Sequence, residues 1–207
     1  EQRLLGDAAN RFVAGRYSFE ARRAFLQSPE GFSRDIWREF AELGWLGLGI
    51  PEEFGGLGSG AVETGLVMEA LGRGLVVEPY LATAIVAPYL ILALGSPAQK
   101  SELLPQIVGG QLLLAFAQAE PQSRFALNDV TTAATRTATG WTVSGRKQLV
   151  LGGPWADKLL VVARIDGERR DRCGIGVFVV PARSPGMTAT DYPTLDGARA
   201  SNVVFDA

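Results

Sequence analysis

The hydrophobic pattern of the chain changes once, near residue 110. Before that point apolar residues recur at helical spacing. Leu4, Leu5, Ala8, Phe12 and Val13 predict an amphipathic helix at the start. In "SRDIWREFAELG", Ile36, Trp37, Phe40 and Leu43 share one face. Ser33 is a candidate N-cap, Asp35 suits the first turn, and Gly44 is a fitting stop. "AVETGLVMEALGRG", residues 61–74, repeats the pattern with Val62, Leu66, Met68, Ala70 and Leu71. Between these helices "GLGIPEEFGGLGSG", residues 47–60, holds six glycines and one proline and predicts a loop. "PYLATAIVAPYLILALG", residues 79–95, carries no charge. Pro79 and Pro88 interrupt it, and it falls short of the roughly 20 residues a membrane span needs, so it predicts a buried helix.

After residue 110 short apolar runs rich in Thr, Val, Leu and Phe alternate with turn residues, which predicts strands. They are "QLLLAFAQA", "VTTAATRTATG", "WTVSGRKQLVLGG", "DKLLVVARIDGERRD", "GIGVFVVPA" and "ASNVVFDA". "KLLVVARI" and "GIGVFVV" read as two strands joined by the charged turn "DGERRD". Helices followed by strands predict two segregated α+β domains, not βαβ units. The expected division is a helical domain over 1–110 and a β domain over 111–207, incomplete at its end.

Composition narrows the chemistry. Apolar residues make up 47% of the 207 and charged residues 20%, the balance of a globular chain. A net charge of −2 gives no basic face for nucleic acid. The chain has no histidine, which excludes Ser-His nucleophiles and His-based metal sites. Cys173 is the one cysteine, so no internal disulfide or four-cysteine zinc site can form, in keeping with a reducing cytoplasm. The charged opening "EQRLLGDAANRFVAG" does not read as a secretory signal.

Taken alone, the residues offer few chemical candidates. The Gly-rich loop at 47–60 lacks the Gly-Lys-Ser/Thr of a phosphate loop. Glu52 and Glu53 are adjacent and diverge as a solvated pair. The run Glu168 to Arg172 reads as a solvated turn. Arg146 and Lys147 are placed either to meet a phosphate or to edge a strand.

Three stretches in order carry a family resemblance: "LGWLGLGIPEEFGGLGSG", "KSELLPQIVGGQLLLAFAQAEP" and "GWTVSGRKQLVLGGPWADKLLVVAR". They resemble the Gly-rich segment, the strand ending in Thr/Ser-Glu-Pro, and the Gly-x-Lys-x-Trp-Ile-Thr/Ser-Asn-Gly signature of acyl-CoA dehydrogenases, and the likeness runs over essentially the whole chain. It implies an N-terminal helical domain, a middle antiparallel β-barrel-like domain, and a C-terminal four-helix domain absent from this chain. The implied cofactor is FAD, lying in the family between the middle and C-terminal domains. The implied reaction is α,β-dehydrogenation of an acyl-CoA, with electrons passed on to an acceptor flavoprotein. The family's catalytic carboxylate lies in the C-terminal domain, beyond Ala207, so no acid here takes that role.

Carried over by motif, the resemblance puts Phe116, Gln118 and Ala119 along the flavin, with Ala119 in place of the hydroxyl residue. Leu149 falls on the Trp, Val150 on the Ile and Leu151 on the Thr/Ser, so Leu149 and Val150 are expected to give the flavin an apolar wall. Arg124 and Phe125 fall on the Gly-Ser that approaches the acyl-CoA. "AEPQSRFALNDVTTAA", "PWADKLLVVAR" and "DYPTLDGARASNVVFDA" further resemble the small subunit of pimeloyl-CoA-dehydrogenase-type enzymes. That implies a homo- or hetero-tetramer with a large subunit, a dicarboxylyl-CoA as candidate substrate, and, as the alternative, a degenerate partner supporting an active subunit.

Overall fold

The computed structural model describes residues 1–206; Ala207, the last residue of the expected β domain, lies outside the described residues. The chain forms two compact units. One holds Glu1–Leu112 with Leu195–Ala198, the other Leu113–Thr194 with Arg199 onward.

The first unit is helical. Its elements are α1 (Gln2–Arg16), α2 (Phe19–Gln27), α3 (Arg34–Glu42), α4 (Ala61–Arg73), α5 (Ala87–Leu94) and α6 (Pro97–Val108). In α3 the Ser33 hydroxyl oxygen accepts from the Ile36 N–H at 3.2 Å, and Ile36, Trp37 and Phe40 are buried. Gly44 ends the segment at φ 74°, a left-handed conformation that glycine adopts without strain. Leu43, expected on the buried face, sits at the cap and is exposed.

α1 is also rotated from the expected face. Gly6, Ala9 and Val13 are buried while Leu4 is exposed. α1 packs on α4. In α4 the buried residues are Val67, Ala70 and Leu71, and Val62 is exposed. The 79–95 stretch forms a π-helical segment, Leu81–Val86, running into α5. Thr83, Ala84, Ala87, Pro88 and Ile91 are buried, but Leu81, Tyr89 and Leu94 are exposed, so the helix is buried on one side only. Among the described residues no helix is long and apolar enough to cross a membrane.

The second unit is a sheet of seven strands: β1 (Leu114–Ala117), β2 (Ala133–Thr137), β3 (Gly140–Leu151), β4 (Lys158–Arg164), β5 (Ile175–Pro181), β6 (Met187–Pro193) and β7 (Arg199–Phe205). The order is β1-β4-β2-β3-β7-β6, with β5 also on β4. The β2/β3, β3/β7, β4/β5 and β6/β7 pairs are antiparallel, as expected. β4 departs from this, because β1 and β2 both run parallel to it. The sheet is therefore mixed rather than antiparallel throughout. β4 is buried along nearly its whole length, so both of its faces are covered. β6 escaped the hydrophobic pattern because almost all of its side chains are exposed. Ala115, Ala117, Val150, Leu159, Val161, Val203 and Phe205 form the core between the strands.

Candidate functional site

β1 alternates. Ala115 and Ala117 point into the core, and Phe116 lies half-buried on the opposite side. Among the described residues β1 pairs with β4 alone. The chain leaves β1 through Gln118 and Ala119, both half-buried, to Glu120. Among the described residues the N–H groups of Gln118 and Ala119 meet no acceptor. Their carbonyls are taken: the Lys147 ammonium donates to Gln118 O at 3.1 Å, and the Gln148 N–H donates to Ala119 O at 2.9 Å.

Glu120 is the hub of this region, with a fully buried carboxylate. Its Oε1 accepts from Lys147 Nζ at 2.7 Å and from the Thr132 N–H at 3.1 Å. Its Oε2 accepts from Gln122 Nε2 at 2.7 Å, the Thr131 N–H at 2.8 Å and the Thr131 hydroxyl at 2.5 Å. Burial opposes the charge, but the bonds from Lys147, Thr131 and Gln122 outweigh it and hold the carboxyl down at about 2. Burial likewise pulls the Lys147 ammonium below its ordinary range, and Glu120 offsets only part of that. Lys147 is thus neither a phosphate ligand nor a strand-edge charge; its side chain is enclosed.

Two residues past Lys147 the β3/β7 register slips. Leu149 adopts φ 52°, and its N–H donates to Asn202 Oδ1 at 3.2 Å. A leucine in left-handed conformation is strained, as bulges next to functional sites often are. The bulge decides which side chains face out. Val150 drops into the core at 0% exposed, whereas Leu149 and Leu151 stand out at 53% and 45%. The expectation that Val150 offers its side chain to a ligand is thereby corrected: the extra residue at 149 puts Leu149 and Leu151 outward and Val150 inward. Gly152, at φ 74°, ends the strand.

The loop after Glu120 is braced rather than loose. Arg124 has φ 49° and is exposed, and Phe125 is 99% exposed at its tip. Asp129 anchors the base. Arg169 binds it through Nε at 2.5 Å and Nη2 at 2.8 Å, and Arg170 through Nε at 3.0 Å. The Arg164 guanidinium donates to the carbonyls of Asn128, Val130, Asp166, Arg169, Asp171 and Cys173. The run Glu168 to Arg172 is therefore not simply a solvated turn. Glu120, Asp129, Arg164 and Asn202 were not singled out from the sequence; a lone acid before a proline or an arginine closing an apolar strand gives no periodic signal.

The residues so assembled fit a flavin in chemistry. They offer an outward apolar pair, Leu149 and Leu151, and two backbone donors, at Gln118 and Ala119. They offer no side-chain donor at Ala119 or Leu151.

Comparison with known proteins identifies the family. Residues 1–111 match the acyl-CoA dehydrogenase N-terminal domain, and residues 115–207 the acyl-CoA dehydrogenase middle domain. Acyl-CoA dehydrogenase FadE12 of Mycobacterium tuberculosis is 35% identical over 157 residues, 75% of this chain and 40% of that protein. A glutaryl-CoA dehydrogenase of Mycobacterium smegmatis, solved in complex with FADH2, superposes with a TM-score of 0.85 at 27% identity, covering 99% of this chain and 52% of that one. The ChsE4-ChsE5 complex of Mycobacterium tuberculosis gives 0.86 at 27% identity, covering 99% and 53%. The chain thus spans about half the length of these relatives. With both halves matched in order, the chain belongs to the acyl-CoA dehydrogenase family, of which it holds the N-terminal and middle domains.

Proposed function

We propose that the β unit carries the middle-domain share of an FAD site, and that the whole protein catalyses α,β-dehydrogenation of an acyl-CoA. The observation that carries this reading is the β3 bulge, which turns Leu149 and Leu151 outward beside the N–H groups of Gln118 and Ala119, which meet no acceptor among the described residues. Bound FAD supplies the two-electron acceptor that the reaction needs. Leu149 and Leu151 shield the ring from water, and the two N–H groups donate to its heteroatoms. Arg124 and Phe125, at the tip of a braced loop, face the thioester; Arg124 suits a distal carboxylate or a CoA phosphate. The acceptor is a flavoprotein, and the exposed Cys173 thiol suits a cytoplasmic setting.

A second reading is that the chain is the degenerate member of a hetero-oligomer, in the manner of a small subunit paired with a large acyl-CoA dehydrogenase subunit. Its support is the loss of side-chain donors at Ala119 and Leu151. The experiment is to purify the full-length protein alone, measure bound flavin, and add acyl-CoAs of varied chain. Flavin that bleaches with an acyl-CoA establishes the first reading and removes the second. A colourless protein that turns over nothing without a partner overturns the first.

A further inference from the structure

Glu120 and Lys147 are charged and fully buried, and no step of the proposed reaction uses them. The ion pair by itself is weak evidence of stability, since apolar side chains of similar volume often hold a fold as well. Its bonds suggest a different role. Three successive carbonyls leave β1, those of Gln118, Ala119 and Glu120. Lys147 Nζ holds the first at 3.1 Å, the Gln148 N–H the second at 2.9 Å, and Gln148 Nε2 the third at 3.2 Å. Two neighbouring residues of β3 thus grip three neighbouring residues of the β1 exit. Leu149 comes next, in the bulge.

A one-residue slip of β3 would turn Val150 out and Leu149 and Leu151 in, because side chains alternate along a strand. The burial of Val150 already opposes such a slip, and the ion pair opposes it further, because a slip leaves two charges buried and apart. We propose that Lys147 is a positioning residue: through Glu120 and the Gln118 carbonyl it fixes the Gln148–Leu149 bulge, and so sets how Leu149 and Leu151 face the flavin. The clamp is a property of the chain itself; only its ligand rests on the flavin reading.

The test uses the full-length protein and the double substitution Lys147→Met with Glu120→Leu, which removes both charges together. Three quantities are read: the thermal midpoint, amide hydrogen exchange at Gln148 and Leu149 without flavin, and FAD affinity by titration. The expected result is a lowered midpoint, since the N–H groups of Thr131 and Thr132 lose their acceptor, exchange at Gln148 and Leu149 accelerated at least about tenfold more than at the other β3 amides, and FAD bound at least about tenfold more weakly. Unchanged exchange overturns the proposal. Faster exchange with unchanged FAD affinity also overturns it, since the pair would then be structural alone. If the double variant does not fold, Glu120→Gln keeps the volume and the contact with Lys147 but not the charge. It should move both readouts several-fold in the same direction, and no change in either overturns the proposal. A wild-type protein that binds no FAD refutes the flavin reading, while exchange in the variant still decides the clamp.

Discussion

The Tyr17 hydroxyl donates to Glu78 Oε2 at 2.7 Å and accepts from the Val77 N–H at 3.0 Å, with both side chains buried. The other carboxylate oxygen accepts from the Ser33 N–H at 3.0 Å. One phenol and one carboxylate thus tie the end of α1 to the cap of α3 and to the chain ahead of the π-helical segment. Tyr17→Phe removes the donor and the acceptor at once and leaves Val77 N–H and a carboxylate oxygen unpaired. Unsatisfied buried groups cost about 1–3 kcal/mol each, so a loss of that order is expected. Urea unfolding checks it, with a lower midpoint at unchanged slope. An unchanged midpoint would show that the node adds nothing net.

Two parts of the chain should respond to pH in opposite senses. Burial pushes the Glu78 carboxyl above its ordinary range, despite its bonds from Tyr17 and Ser33. A raised folded-state value favours the protonated form, so this contribution is full below the ordinary carboxylate range and is lost as pH rises through the raised value. Asp129 is the reverse. Hydrogen bonds from Arg169, against the pull of burial, and then from Arg170 hold it at about 2. Glu120 is held at about 2 as well. These contributions are present above the ordinary range, about 4, and are lost as pH falls toward 2. Amide exchange followed by residue between pH 3 and 8 should show the Tyr17–Glu78 node weakening with rising pH and the surroundings of Asp129 and Glu120 with falling pH. Glu78→Gln should flatten the first trend and leave the second alone.

The fold was readable where periodicity reports burial directly. α3 shows this, since Ser33, the Ile36–Trp37–Phe40 stripe and Gly44 are all local signals. It was less readable where packing depends on small residues. α1 buries Gly6 and Ala9, which a search for large apolar residues passes over in favour of Leu4. β6 could not be seen, because an exposed edge strand has no apolar face to alternate. In the candidate site the motif order named two segments that the fold brings together, the β1 exit and the end of β3, but not the direction of their side chains. The bulge at Leu149 reverses the alternation around Val150, and nothing local announces it. The ion pair beside it, Lys147 with Glu120, joins residues 27 apart, and only the folded sheet reveals their meeting.

Two glycine substitutions should have opposite signs. A Cβ on Gly145, at φ 149°, would lie 2.6 Å from both the Cα and the hydroxyl of Thr132. Thr132 cannot retreat easily, because its N–H donates to Glu120 at 3.1 Å and its carbonyl accepts from the Arg164 N–H at 2.7 Å. Gly145→Ala should therefore destabilise by about 1–3 kcal/mol, as overpacking does. Gly15, within α1, has nothing within 4 Å of its added Cβ. Gly15→Ala should stabilise by about 0.4–1 kcal/mol through the unfolded chain. Thermal midpoints of the two variants check both, and a destabilised Gly15→Ala would mean that α1 ends earlier than Arg16.

Leu151→Thr tests the flavin face directly. Leu151 is 45% exposed at the end of β3, so truncating it opens no core cavity. Threonine is favourable in a strand, which keeps the backbone as it is. The new hydroxyl stands on the same outward face, on the residue next to buried Val150, and can give the ring the side-chain donor the chain lacks. A hydrogen bond of that kind is worth about 0.5–1.5 kcal/mol, so FAD affinity in the full-length protein should rise by roughly 2- to 10-fold. Val150→Thr is the control. It buries a hydroxyl among Ala115, Ala117, Leu159 and Val203, so it should lower stability and leave the flavin without a new partner. Titration calorimetry on the two variants separates the faces. A gain from Val150→Thr with none from Leu151→Thr would mean that β3 presents its other side to the ligand.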